Sequence, residues 1–211
     1  MRIFSTDKGT KVHLMGVVKG LVSESDKVKE TLEEVPFQIG TLPISKEDLV
    51  GLDSLERLPE ISMSTPEIAY ARNLQRYGEV RIPPPSYIVL LEHCRTNSIR
   101  IEGIDMDDEH FTSAFCKHIS GSELIRQSMW EKRLLKKVVE SDSPEEFATR
   151  WDKLINKYKG YQRLEAHREM VMSKNMRKLS RNSDLFSIVE VERIQGIMSI
   201  MKGWGWKELS R

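Results

Sequence analysis

The sequence concentrates its chemistry in Glu190-Val191-Glu192-Arg193. Two carboxylates and a guanidinium follow the apolar run Leu185-Phe186-Ser187-Ile188-Val189 and precede Gly196. Phe186, Ile188, Val189 and Val191 read as a mostly buried strand. Ile197, Ile200 and Met201 give a following helix its apolar face. Ligands of open α/β sheets sit at the carboxyl ends of strands, so Glu190 to Gly196 is a candidate site. A second acidic group, Asp105-Met106-Asp107-Asp108-Glu109, ends the strand predicted from Ile99, Ile101 and Ile104. For Asp107-Asp108-Glu109 the preferred reading is acids at a helix start, favoured by its dipole. His110, Cys116 and His118 share the next short helix but match no standard zinc spacing. There is no G-x-S-x-G, no phosphate loop, no dinucleotide glycine pattern, and no serine or cysteine paired to a histidine in a recognisable motif.

The elements that must position these residues are legible from periodicity. Leu164, Val171, Met172, Met176 and Leu179 recur at helical spacing, and Ser183-Asp184 break the pattern before the strand. At the amino terminus, Arg2 to Thr6 and Lys11 to Val18 form a hairpin around Asp7-Lys8-Gly9. Val12, Leu14, Gly16 and Val18 share one face, and alternation turns His13 away from the core. Ser23 or Ser25 caps a helix running to Glu34, and Pro36 to Leu42 is a further strand. Ser45 caps a helix ending near Leu55, Leu58 to Ser64 is loop, and Thr65-Pro66-Glu67 starts a helix that ends at Gly78. Pro83 to Pro85 are extended, and Tyr87 to Cys94 begin a helix. A long helix, Ser122 to Val139, precedes one opened by Ser143-Pro144-Glu145-Glu146 as a capping box, which carries Phe147, Trp151 and Leu154. The pattern predicts a single α/β domain over residues 1–211, with a mixed central sheet flanked by helices. Residues 122–159 form a helical insertion or lid in its second half.

Composition bounds the function. The 211 residues hold 33 Lys/Arg against 32 Asp/Glu and are 39% hydrophobic, enough for a real core. A net charge of +1 gives no global reason to expect a nucleic-acid or membrane partner. Residues 121–182 carry 15 Lys/Arg against 9 Asp/Glu, which a solvated helical face explains. The two cysteines, Cys94 and Cys116, have no paired spacing and fit a reducing compartment. No apolar run approaches a membrane span and no signal peptide precedes Met1, so a soluble cytoplasmic protein is expected. Met198, Met201, Trp204 and Trp206 read as core packing; the alternative is a homodimer or partner interface.

The stretch from Tyr161 to Trp206 resembles the TraB/PrgY family, within the erythromycin-esterase-like and ChaN-like group. That family has a helix E-R-D-x-x-M-A-x-x-L, an apolar strand, and G-A-G-H-x-x-G-I. Arg168 and Met172 match the helix, Glu169 replaces its aspartate, and His167, Ser173 and Met176 fall at the glutamate, alanine and leucine places. Gly196 and Ile197 match the end of the second motif, whose Gly-Ala-Gly-His core here reads Glu190-Val191-Glu192-Arg193. Towards the amino terminus the family has a strand and G-T-x-H. Gly16 matches its glycine and Lys19 takes the histidine place. Leu42 and Ile44 fall where the family's Glu-Leu-Asp supplies acids, while Asp105 and Asp107 match both acids of its Asp-Arg-Asp, around Met106.

The resemblance implies an α/β scaffold whose metal-binding residues have been replaced. Neutral imidazoles bind divalent metals; an arginine stays charged and cannot. No metal site and no cofactor are therefore expected. Lys19 and Arg193 either pair internally with Glu190, Glu192 or Asp105 as a structural plug, or bind a small anion such as phosphate. The expected function is non-catalytic binding or regulation, with a protein or a small anion as partner. The alternative is a hydrolase with a reworked site at Gly16, Lys19, Asp105, Arg168, Glu190 and Arg193, beside which Glu169, Glu192 and Gly196 lie.

Overall fold

A computed structural model describes residues 1–54 and 63–209. Alternating apolar residues make Arg2–Ser5 (β1) and Lys11–Val17 (β2) an antiparallel hairpin in which Phe4 faces Val12. Gly9 turns it with φ +82°, a conformation that glycine adopts without steric cost. Ile39–Leu42 (β3), Arg100–Gly103 (β4), Leu185–Glu190 (β5) and Lys207–Leu209 (β6) complete a six-stranded mixed sheet in the order β4-β3-β5-β2-β1-β6. β4, β3, β5 and β2 run parallel; β1 is antiparallel to both β2 and β6. This is the α/β architecture expected from the sequence.

Helices cover both faces of the parallel strands. Ser23–Glu34 (α1) and Pro85–Thr96 (α4) lay Val28, Leu32, Tyr87 and Leu90 on Met15, Val17, Phe186 and Ile188. On the other face, Lys159–Leu179 (α8) and Ile194–Gly203 (α9) bring Met172, Met176, Ile197 and Met201 against Leu14, Leu185 and Val189. Met198 and Trp206 are buried in that cluster too. In the middle of the sheet, the Thr41 hydroxyl donates to Ser187 Oγ at 2.6 Å, and Ser187 donates to Met176 Sδ at 3.0 Å. This pairing satisfies polar groups that would otherwise be costly to bury between two apolar layers.

The remaining helices gather at the carboxyl ends of the strands. Lys46–Asp53 (α2) follows β3, with Ser45 capping it through Asp48 N. Asp108–His118 (α5) follows β4 and packs on α8. Thr65–Leu74 (α3), Gly121–Leu134 (α6) and Pro144–Ile155 (α7) form an apolar cluster of Ala69, Leu74, Leu134, Phe147 and Trp151 over Val18 and Leu21. The segment after α3 is tied to the end of β2, with Val22 N bonded to Glu79 O and Arg81 N to Gly20 O. Gly103 is required where β4 passes the Ser45 and Ile44 carbonyls, because a Cβ there would meet backbone. No described helix is long and apolar enough to cross a membrane.

Several local expectations are corrected. His13 is buried, at 5% exposure, because both faces of the parallel sheet are covered and alternation leads to no solvent face. Neither Ser23 nor Ser25 caps α1. The Ser25 hydroxyl donates instead to the Val22 carbonyl, and Glu24 accepts from Val18 N. The Ser143 capping box is half formed: Ser143 accepts from Glu146 N, but the Glu146 carboxylate accepts from Asp142 N. Pro85 is the first residue of α4 rather than extended chain, after a cis Ile82–Pro83 bond. α6 stops at Leu134 rather than Val139, and Val191 has left β5. α2 ends at Asp53, close to the expected Leu55, which itself lies outside the described residues, as does most of the expected loop from Leu58 to Ser64.

Both ring nitrogens of His13 lack hydrogen-bond partners. Burial pushes its pKa below the ordinary imidazole value, Asp184 opposes this, and Lys11 adds to it. The stability gained by keeping this ring neutral is thus complete above the unfolded pKa of about 6.5 and is lost as pH falls below it. Thermal melts between pH 7.5 and 5.5 should show a falling Tm, and His13→Leu should flatten that fall relative to the unsubstituted protein.

Candidate functional site

β5 is buried along its whole length and ends at Glu190, where the chain turns through a 3-10 segment, Val191–Arg193, into α9. This turn presents Glu190, Glu192 and Arg193 at the carboxyl edge of the sheet. Glu165, Arg168 and Glu169 face it from α8, where spacings of three and four residues put them on one side of the helix. Asp152 comes from α7, and Asp105 from the end of β4.

These groups form a continuous chain of charge. Arg168 holds Asp105 through a short ion pair and through Nε to Oδ2 at 3.1 Å. Its other side reaches Glu165 Oε2 at 3.1 Å. The same Glu165 oxygen forms an ion pair with Arg193 Nη2 at 2.6 Å, and Arg193 Nη2 donates to Asp152 Oδ1 at 2.8 Å. Burial works against the charge of each guanidinium, but neighbouring carboxylates outweigh it and raise both pKa values: Glu165 and Asp105 for Arg168, Glu165 and Asp152 for Arg193.

Beside this frame stand carboxyls without such partners. Glu190 is 7% exposed; its Oε1 accepts from the Tyr87 hydroxyl at 3.0 Å and its Oε2 has no partner. Glu192 Oε2 has none either, and burial, with repulsion from Glu190, pushes its pKa up to about 8. Burial pushes Glu169 to about 7, with Arg193 pulling it back. The absent side chain of Gly196 makes room for the Glu169 carboxylate, which a Cβ would strike. Gly16 plays a similar part further in, where a Cβ would lie 2.8 Å from Ile194 Cγ1.

Glu190, Glu192, Arg168 and Arg193 line a cavity of about 620 Å³. Its walls are mainly apolar, including Ile44, Leu52, Val80 and Ile155, with the aromatic rings of Tyr70, Tyr87 and Trp151. The Tyr70 hydroxyl is buried without a partner, and burial raises its pKa. Lys19 is exposed at the cavity and makes no ion pair among the described residues.

Of the residues singled out from sequence, Lys19, Arg168, Glu190, Glu192 and Arg193 meet at this cavity, with Asp105 behind Arg168. Asp107 does not join them: it caps α5 and bonds the His110 ring at 2.7 Å. The acids that hold Arg193 are Asp152 and Glu165, rather than Glu190, Glu192 or Asp105. Glu165 was detectable, one turn before Arg168 on the same helix. Asp152, Tyr87 and Tyr70 carry no local signal and arrive only through tertiary packing. His118 lies beside His167 with the rings tilted and their centres 5.6 Å apart, and Cys116 is exposed. Among the described residues no group of three or more His, Cys, Asp or Glu is placed to hold a metal ion. A guanidinium bound to two carboxylates and an exposed ammonium at the Lys19 and Arg193 positions do not fit one either.

Removing one member of a buried ion network leaves an uncompensated charge, at a cost of about 3–5 kcal/mol. Arg193→Met should therefore lower stability by an amount of that order, measured by urea unfolding. Adding Asp152→Asn to it should recover part of the loss, because the stranded carboxylate is then neutral. A comparison of the sequence with protein-family models finds no match, and a comparison with curated proteins finds none.

Proposed function

We propose that this chain is a non-catalytic binding or regulatory protein for a small molecule, built on a TraB-like scaffold whose metal-binding positions have been replaced. The observation that carries this reading is Glu190: one oxygen is fixed by Tyr87 and the other lacks a partner on a cavity with mainly apolar walls. Buried polar atoms are normally satisfied, and an apolar pocket with a few polar groups is the usual form of a ligand site. The ion pairs of Arg168 and Arg193 with Asp105, Glu165 and Asp152 support binding over catalysis, since they already balance the positive charge of both guanidiniums. A reducing, cytoplasmic setting belongs to the same reading, with Cys94 and Cys116 as free thiols.

A hydrolase is the second reading, favoured by the raised pKa of Glu192. A carboxyl that remains protonated near neutral pH is suited to general-acid work. The two readings separate in a panel of chromogenic esters, amides and phosphoesters. Binding without catalysis predicts no turnover above that of Glu192→Gln, while cavity ligands change the fluorescence of Trp151, with Trp151→Phe as control. Turnover that Glu192→Gln abolishes in a folded protein would establish the hydrolase instead.

A further inference from the structure

We infer that the cavity takes an organic cation: a small molecule with an apolar body and a protonated amine or amidine whose N–H groups reach Glu190 and Glu192. The inference rests on the binding role proposed above and names the class of ligand.

The first argument is hydrogen bonding. Glu190 Oε2 and Glu192 Oε2 are both buried and both lack a donor. A carboxylate only accepts, so the group that completes Glu190 must donate, and Glu192 becomes a second such acceptor once it gives up its proton. The second is charge. The two guanidiniums at the cavity lie among three carboxylates, those of Asp105, Glu165 and Asp152. Arg168 also attracts Glu190 and Arg193 attracts Glu192, but with these two the cluster holds five carboxyls against two guanidiniums and keeps an excess of acid. An anionic ligand would have to face those two carboxyls as it approached either guanidinium. Lys19 does not alter this, because an ammonium in solvent is screened from the buried carboxyls.

The third argument is the lining. Tyr70, Tyr87 and Trp151 offer aromatic faces, to which cations are attracted when water is excluded. A metal ion is a poorer candidate, since no described cluster supplies three ligands for one.

The same geometry predicts a pH signature. Glu192 is faced by Glu190 at the end of β5, Arg193 in the turn, Asp152 from α7, Tyr70 from α3 and Tyr87 from α4. Its raised pKa follows from burial and from the nearby Glu190 charge, and a bound cation supplies the missing counter-charge. Cation binding should therefore tighten as pH rises through about 8, where Glu192 gives up its proton.

Benzamidine, benzamide and benzoate have nearly the same shape and differ in charge. Titration calorimetry of the full chain with each, at pH 7 and pH 9, tests the inference. Benzamidine should bind at least tenfold more tightly than benzamide and should gain affinity at pH 9, while benzoate should not bind. Glu190→Gln with Glu192→Gln, checked by thermal melting, should abolish the preference. Benzoate or inorganic phosphate binding as tightly as benzamidine would overturn the inference, and so would equal binding of benzamide and benzamidine. A pH response absent from the unsubstituted protein would overturn it without recourse to any variant. If none of the three compounds binds, the ligand-binding role itself fails.

Discussion

One carboxylate oxygen, Glu165 Oε2, lies between two guanidiniums, and the upper edge of the molecule depends on it. Through Arg168 it reaches Asp105 at the end of β4; through Arg193 it reaches Asp152 on α7. Four separate parts of the chain are therefore held in one arrangement by a single run of alternating charge. Desolvating such a run is expensive, and it is repaid only while every member keeps its partners. Specific geometry matters here more than net stability, since apolar residues could fill the same space.

The cavity follows from that arrangement. Anchoring α7 to the turn after β5 sets Trp151 and Ile155 as one wall. The pairing of Gly20 and Val22 with Glu79 and Arg81 fixes the opposite approach. With Arg168 and Arg193 in ion pairs, Glu190 and Glu192 are buried carboxyls at the cavity that the frame does not pair. Their neighbours give them different characters: Tyr87 donates to Glu190, whereas for Glu192 burial and repulsion from Glu190 outweigh the pull of Arg193.

The sequence made the α/β class legible because each element carries a clean period. The run from Leu185 to Val189 and the helical spacing of Leu164, Met172 and Met176 have few competing readings. The Glu190 to Gly196 site followed from a general property of parallel sheets, not from a motif. What stayed hidden depended on neighbours distant in sequence. Alternation placed His13 outside because it cannot tell a sheet covered on one face from one covered on both. Asp152 looked like any helix-surface acid until α7 docked on the turn. Ser23 and Ser25 were sound cap candidates, but Val18 N and the Val22 carbonyl took the available partners.

The position of β5 has a consequence for how the molecule is assembled. It is the last of the four parallel strands in sequence, yet it lies between β3 and β2 in the sheet. Before residues 185–190 are in place, the hairpin side and the β3–β4 side share no ladder, and each presents an unpaired inner edge. Open edges invite pairing with other chains, so the interval before β5 inserts is the vulnerable phase of biogenesis. Closure also delivers Glu190, Glu192 and Arg193 to the cavity in the same event. Assembly of the cavity and completion of the sheet thus coincide.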